Sequence, residues 1–431
     1  MSADKPHVLI DGTKLADAHI DGIRRYLEEL LKALDIQMEK QKPDWSLRVT
    51  LDTHTSYPLH QVVNALVRSE GASPITLLDR RFDVLRRPAR TVGQKLRRFR
   101  AKLERNVQRR LTQWWQQPRP CDLLHLPLPN TFAHYERNSS PLLMTVHDLS
   151  HLVCPEFQTR SNSATLSNGL AGAIQRKASF LSDSESTKRD MIKLLGVPSQ
   201  QIQVVHLACD RTRFQPVTNP QVIQKLRAKY RLPDQPFVLT LCRLEPRKNL
   251  TAVVRACEQL FQTSPDLPFH LVIAGGDGWG NQANELAKLT SDRVHLTGAI
   301  DDADLASLYS CAAVTACMSF YEGFCLPILE AMGCGCPVIH SDTSAMPEIA
   351  GDAGLAASPT DINQIAQNIE AVLRDPVLSH RMKINGLARA NEFSWTRAAV
   401  ETMQAYDSLL KSKALRHEFN VEKTTGSKVA A

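Results

Sequence analysis

The sequence predicts an α/β protein of two doubly wound, Rossmann-like domains that face each other across a cleft. Three observations carry that expectation. The chain has 431 residues, more than one hydrophobic core usually serves. Its second half alternates continuous apolar runs with segments of helical spacing, the pattern of a parallel sheet covered on both faces. Its first half repeats the alternation more loosely.

In chain order, residues 7–10 read as the opening strand and 22–38 as a long amphipathic helix. Residues 47–51, 75–78, 123–126, 142–146 and 202–207 read as further strands. The second series has strands at 237–242, 269–274, 294–297, 314–318, 337–340 and 355–357. Helical spacing covers 249–262, 303–312, 327–332 and 361–373, and after about residue 376 only helices are expected, notably 396–411. Pro216, Pro220, Pro233 and Pro236 interrupt the alternation and mark a boundary. The expected organisation is a first domain over 1–210, a linker over 211–235 and a second domain over 236–393. A helix over 394–415 is expected to pack back on the first domain, and 416–431 to form a tail without fixed structure. No short-period repeat suggests a solenoid.

Composition narrows the class. Hydrophobic residues make up 43% and charged residues 23%, with a formal net charge of +7, as in ordinary globular proteins. The excess is local. Residues 80–119 carry 14 Lys/Arg against Asp83 and Glu104, a segment charge of +12 that leaves the rest at −5. A uniformly basic nucleic-acid binder does not look like this, and no nucleic acid is expected as a partner. The opening Met1-Ser2-Ala3-Asp4-Lys5-Pro6 lacks the apolar stretch of a secretory signal, and no run reaches the roughly 18–20 apolar residues that cross a bilayer. The 10 cysteines form no CxxC pair and no zinc-spaced cluster. Together these predict a cytoplasmic protein with no metal.

The densest chemistry lies in Ser319-Phe320-Tyr321-Glu322-Gly323-Phe324-Cys325-Leu326-Pro327-Ile328-Leu329-Glu330, between a strand and a helix. Pro327 suits the first helical position, which puts Glu330 in the first turn and Glu322 in the loop. The amides of Cys325 through Leu329 are then expected to face the cleft and hold a diphosphate or sugar oxygens. The two carboxylates would accept from sugar hydroxyls, the structural alternative being that Glu330 only complements the helix dipole. A second cluster, Cys242-Arg243-Leu244-Glu245-Pro246-Arg247-Lys248-Asn249, follows the first strand of the second domain. It delivers Arg243 and Lys248 to the cleft edge, with Asn249 as helix cap; a solvated basic turn is the alternative.

Three weaker signals complete the set. Gly275-Gly276-Asp277-Gly278 lacks dinucleotide spacing and reads equally as a base or phosphate turn and a plain turn. Asp21-Gly22-Ile23-Arg24-Arg25-Tyr26 opens the first long helix, where Gly22 permits close approach of an anion. Val146-His147-Asp148 ends a strand and aims His147 and Asp148 at the cleft.

In this order the clusters resemble glycosyltransferase family 4, the retaining nucleotide-sugar enzymes of the GT-B fold, also described as group 1 glycosyl transferases. The resemblance spans roughly 7–410. It includes Ser182-Asp183-Ser184-Glu185-Ser186-Thr187-Lys188, Met346-Pro347-Glu348-Ile349 and Phe393-Ser394-Trp395 beside the motifs above. It implies that Glu330 binds the nucleotide ribose, Glu322 sits beside the donor sugar, Arg243 and Lys248 hold the diphosphate, and His147 lies near the transferred sugar. Gly22, Gly323, Phe324, Cys325 and Leu326 complete the implied donor-binding set. No permanently bound cofactor is implied; the donor is a GDP- or UDP-hexose and the acceptor a saccharide or lipid-linked group. Cys325 departs from the family's usual Gly and narrows the loop. Rival readings are a nucleotide-sugar epimerase of related architecture, which needs no acceptor, and a non-catalytic binding protein built on the basic segment.

That segment has its own expectation. Within 94–117, Leu96, Phe99, Leu103, Val107, Leu111 and Trp114 recur at helical spacing with Arg/Lys around them. A basic amphipathic helix ending in Trp114-Trp115 suits an anionic membrane surface, giving peripheral attachment to the inner face of a membrane. A docked helix with a solvated basic face is the alternative.

Overall fold

The computed structural model describes residues 5–16, 21–51, 75–79, 121–276, 278 and 291–426. The basic segment 80–119 with its expected membrane helix, Asp277 and the last five residues of the tail lie outside the described residues. Two compact units emerge: Met1–Thr145, Thr165–Ser179 and Met403–Ala431 form one, and Val146–Ala164 with Phe180–Thr402 the other.

The first unit holds strands β1 (His7–Asp11), β2 (Ser46–Leu51), β3 (Ile75–Asp79), β4 (Leu123–Leu126) and β5 (Leu142–Val146), side by side in the order β3-β2-β1-β4-β5. Every pairing among them is parallel, and all residues of β4 and β5 are buried, as expected of strands covered on both faces. Helix α1 (Gly22–Gln41) starts where the Asp21 carboxylate accepts from the Arg24 amide and ends on Lys42 in the left-handed region. The end of the last helix belongs to this unit. Its Tyr406 hydroxyl lies 2.7 Å from His125 Nδ1, whose Nε2 lies 2.8 Å from Thr145 Oγ1. Trp45 Nε1 donates to Asp407 at 2.6 Å. A buried polar chain such as Tyr406–His125–Thr145 must be complete to be tolerated; it ties that helix to β4 and β5, and Trp45 ties it to the residue before β2.

The second unit contains β6 (Ser179–Ser182) and β7 (Ile202–Val204), paired in parallel, and a six-stranded parallel sheet. Its strands are β8 (Phe237–Leu241), β9 (His270–Ala274), β10 (Val294–Gly298), β11 (Val314–Cys317), β12 (Val338–Ser341) and β13 (Leu355–Ala357), in the order β10-β9-β8-β11-β12-β13. Val238, Leu250, Val253, Leu271, Val314, Ile339 and Ile365 are fully buried in its core. Both strand orders reverse direction beside their first strand, the Rossmann arrangement, and in such sheets ligands bind at the carboxyl ends of the strands flanking the reversal. In the second unit those strands are β8 and β11.

Some expected elements change. Strand β6 was not expected: at four residues, Ser179–Ser182, with serine at both ends, it offers too little apolar sequence. The prolines taken as linker flank helix α2 (Pro220–Tyr230), where Asn219 caps and Pro220 occupies the first turn, a position that needs no N–H. The strand expected over 202–207 stops at Val204, and the helix expected from 303 begins as a 3-10 turn, Asp302–Asp304, before Leu305–Cys311. The final helix is longer than expected, Trp395–Gly426.

Candidate functional site

The loop leaving β8 makes a 3-10 turn, Pro246–Lys248, and enters helix α3 (Leu250–Thr263) through Asn249 at φ 55°. Asn249 occupies the expected N-cap position, but its side chain makes no capping hydrogen bond. Asn tolerates the left-handed region, and its amide instead donates to the Met318 carbonyl at 3.0 Å and the Pro359 carbonyl at 2.7 Å. The loop after β8 is thereby fastened to the loop after β11.

Glu322 sits at the centre of that junction. Its carboxylate accepts from Lys248 Nζ at 2.6 Å and from Ser319 Oγ at 2.7 Å, and faces Arg247 Nη1 at 3.0 Å. The three charged side chains are 10–18% exposed. Burial alone would raise the Glu322 pKa, but Arg247 and Lys248 outweigh it and hold the carboxyl at about 2. Burial likewise pulls Lys248 down while Glu322 pulls it up, and the net direction is up. Glu322 was expected as an acceptor for sugar hydroxyls; here both of its oxygens are engaged by cations. Arg247 was the residue missed. In sequence it is one more cation in a basic turn, and its partner lies on another strand's loop. It also donates to the Tyr321 carbonyl, while its own carbonyl accepts from the Phe320 amide at 2.9 Å. Arg243 stands apart from this buried set, 64% exposed, with Glu245 at 3.7 Å.

Gly323 follows. A Cβ there would lie 1.7 Å from the His147 carbonyl oxygen, so the loop after β11 presses its backbone onto the residue after β5. The Gly323 carbonyl accepts from Ser184 Oγ at 2.6 Å and Thr187 Oγ1 at 3.3 Å. Those residues open helix α4 (Glu185–Leu195). Glu348 closes the circuit: it accepts from the Glu185 and Ser186 amides at 2.9 and 3.0 Å and from His206 Nε2 at 2.7 Å. Motifs more than 160 positions apart are joined by hydrogen bonds that no local pattern announces.

His147 Nδ1 lies 2.6 Å from Asp183 Oδ2, and Asp183 is the second residue missed from the set. Burial pushes the Asp183 carboxyl up, His147 pulls it back, and the net direction is up. Asp148 accepts from the amide and the hydroxyl of Ser150 at 2.9 and 2.8 Å, so it shapes the turn after β5.

The helix after the glutamate loop, α5 (Leu326–Gly333), begins one residue earlier than expected, with Cys325 before it at φ 76°. Glu330 therefore lies beyond the first turn; it is 4% exposed and accepts from Tyr309 Oη at 3.2 Å. The row of amides expected from Cys325 to Leu329 is incomplete. Pro327 has no N–H, and the Ile328 amide donates to the Cys325 carbonyl. Phe324 packs edge-on against Phe393 at 5.9 Å, and Leu326, two residues on, is buried. Gly22 belongs to the first unit, where it opens α1. Among the described residues, no group of three His, Cys, Asp or Glu is placed to hold a metal ion, and no helix is long and apolar enough to cross a membrane.

These geometric features coincide with relationships to known proteins. The family described as glycosyl transferases group 1 matches residues 222–389. The O-antigen chain mannosyltransferase B of Escherichia coli is 32% identical over 268 residues, 62% of this chain and 70% of that one. The chain belongs to the group 1 glycosyl transferases. A serotype-specific mannosyltransferase WbdA of E. coli is 29% identical over 260 residues, and the chain spans only 32% of its length. Among solved structures, Anabaena HepE in complex with UDP and glucose aligns over 94% of this chain and 100% of its own, with a TM-score of 0.67 and 18% identity. That likeness is one of fold and supports the two-domain, Rossmann-like GT-B architecture. As a group 1 glycosyl transferase the protein is an enzyme, and its glutamate loop and basic loop follow the two strands that flank the reversal of its second sheet.

Proposed function

We propose that this glycosyl transferase moves a hexose of the mannose or glucose type from a GDP- or UDP-sugar to an acceptor hydroxyl, retaining the anomeric configuration and without a metal, in cell-surface polysaccharide or glycolipid assembly. The observation that carries this is the delivery of Arg247 and Lys248 from the loop after β8 directly against the Glu322 loop after β11, with Arg243 exposed just beyond the end of the same strand. Charge develops on the departing diphosphate as the glycosidic bond breaks, and fixed cations in a water-poor site stabilise it by several kcal/mol. Arg243, exposed and long, reaches outward for the diphosphate, and Lys248 supplies a compact charge at its base. Glu330 takes the ribose, and His147, oriented by Asp183, lies beside the transferred sugar. Glu322 is not assigned as a nucleophile: two cations hold it ionised and hydrogen-bonded, and a phosphate oxygen of the donor takes the acceptor proton in a front-face attack. The mannosyltransferase relatives favour a mannosyl donor, and HepE, solved with UDP and glucose, keeps a glucosyl donor in view.

The test is nucleotide release from a panel of GDP- and UDP-hexoses with saccharide acceptors, for wild type, Arg243→Ala and Glu330→Ala. Both variants are expected to lose at least two orders of magnitude. Full activity in both ends the site assignment, and turnover of donor alone into an epimer replaces the transferase reading. Membrane attachment through 94–117 is a separate part of the proposal, read by sedimentation with vesicles that contain or lack acidic lipid.

A further inference from the structure

Beside the Glu322 network the second unit contains a cavity of about 520 Å³ that the donor reading does not use. Its volume falls within the roughly 300–1,000 Å³ of ligand pockets. Phe320 and Tyr321 form one wall, helix α4 contributes Arg189 and Asp190, and the loop after β12 contributes Asp342 and Ser344. It is joined to the glutamate loop directly, because Ser344 Oγ accepts the Glu322 amide at 2.9 Å.

The chemistry of this lining is specific. Phe320 is held by Phe157, stacked at 5.5 Å and 17°, and Tyr321 is fixed by its hydroxyl bond to Asp190 at 2.7 Å. Arg189 and Asp342, both exposed, have no hydrogen bond or ion pair from their side chains among the described residues. One donor fork and one double acceptor therefore stand available next to a rigid aromatic ring. The charge balance disfavours an anion: Asp190, Asp342 and Glu348 line the cavity with the single guanidinium of Arg189, and like charge at close range is costly. A neutral ligand that presents paired hydroxyls and an apolar ring face satisfies every one of these features.

We propose that this cavity is a subsite for a neutral saccharide of the acceptor, with Phe320 under a sugar ring and Arg189 and Asp342 on its hydroxyls. The proposal rests on the glycosyl-transfer reading and adds to it the class of group that lies next to the donor. It makes the acceptor an uncharged glycan at the bound position.

The test is direct binding of α-linked mannotriose to the full chain by saturation-transfer NMR, in wild type, Arg189→Ala and Asp342→Ala. Both side chains are exposed, so both variants are expected to keep the wild-type circular dichroism and melting temperature. The expected result is mannotriose binding at least fivefold weaker in each variant, with no displacement by inorganic phosphate. Undiminished binding in both variants overturns the subsite, as does displacement of the sugar by phosphate. Absence of mannotriose binding in a wild type that still takes up GDP or UDP overturns the subsite and leaves the donor reading intact. Mannotriose binding lost in the variants of a protein that takes up neither nucleotide supports the subsite and removes the donor reading.

Discussion

Lys248 Nζ lies 2.6 Å from Glu322 Oε1, a part-buried contact between two loops 74 positions apart in the chain. It separates two cations that sequence alone groups together, since Arg243 remains 64% exposed. Arg243→Ala is therefore expected to leave stability within about 0.5 kcal/mol while donor turnover falls. Lys248→Ala is expected to lose turnover and also about 3–5 kcal/mol of stability, because one partner of a buried pair is removed. Urea unfolding beside a turnover assay checks this; equal stability in the two variants contradicts the burial argument.

Acid sensitivity has a defined sign. The folded pKa of Glu322 is about 2, below its ordinary 4.5, so its pairing stabilises the fold fully above pH 4.5 and is lost as pH falls through 2. Across that shift the contribution is roughly 3 kcal/mol. Glu322→Gln is expected to be less stable than wild type by about that much at pH 7, with the gap closing as pH drops toward 2. Unfolding midpoints measured from pH 7 to pH 2 give the answer, and a gap that stays constant rules the pairing out as its source.

The contact at Gly323 makes a geometric prediction. A methyl placed 1.7 Å from the His147 carbonyl forces backbone movement, and Gly323→Ala is expected to cost about 1–3 kcal/mol. Gly22→Ala is the control, because its Cβ meets nothing within 4 Å and losing a glycine at a compatible backbone position stabilises by about 0.4–1 kcal/mol through the unfolded chain. Thermal unfolding of both variants should move in opposite directions.

Cys325 occupies a backbone conformation, φ 76°, that costs an L-residue about 1–2 kcal/mol. Cys325→Gly relieves that strain and Cys325→Ala does not, although both remove the thiol. The Gly variant is expected to be more stable than the Ala variant by about 1 kcal/mol, measured by urea unfolding. The reverse order would show that the chain holds this loop without strain.

Much of the scaffold was legible because parallel strands are written as continuous apolar runs. The strands Leu123–Leu126, Leu142–Val146 and Leu355–Ala357 end where the sequence says they should. What escaped was short or long-range. Ser179–Ser182 is too brief to declare itself, and Pro220 reads as a break until the residue before it is seen to be a cap. At the site, residue types and strand ends were readable, but partnership was not. Arg247 looks like its neighbours until Glu322 is placed against it, and Asp183 is one more polar residue after a strand until His147 lies 2.6 Å away. Local pattern carries periodicity; it does not carry which loops meet.

The triad of Arg247, Lys248 and Glu322 also bears on how an anion enters. Arg247 and Lys248 share the Glu322 carboxylate, and Arg247 also faces Glu245 at 3.9 Å, so their counter-charges are carboxylates of the protein itself. A phosphate group arriving there exchanges one fixed counter-charge for another and releases no bulk ions from this pair. The screening that weakens exposed charges by about 0.1 M salt thus acts on Arg243, while the buried pair sets a threshold that chloride or a simple phosphate must overcome without the binding energy of a nucleoside or a sugar. On the proposed donor reading, small anions are therefore expected to compete poorly with the nucleotide donor at this triad.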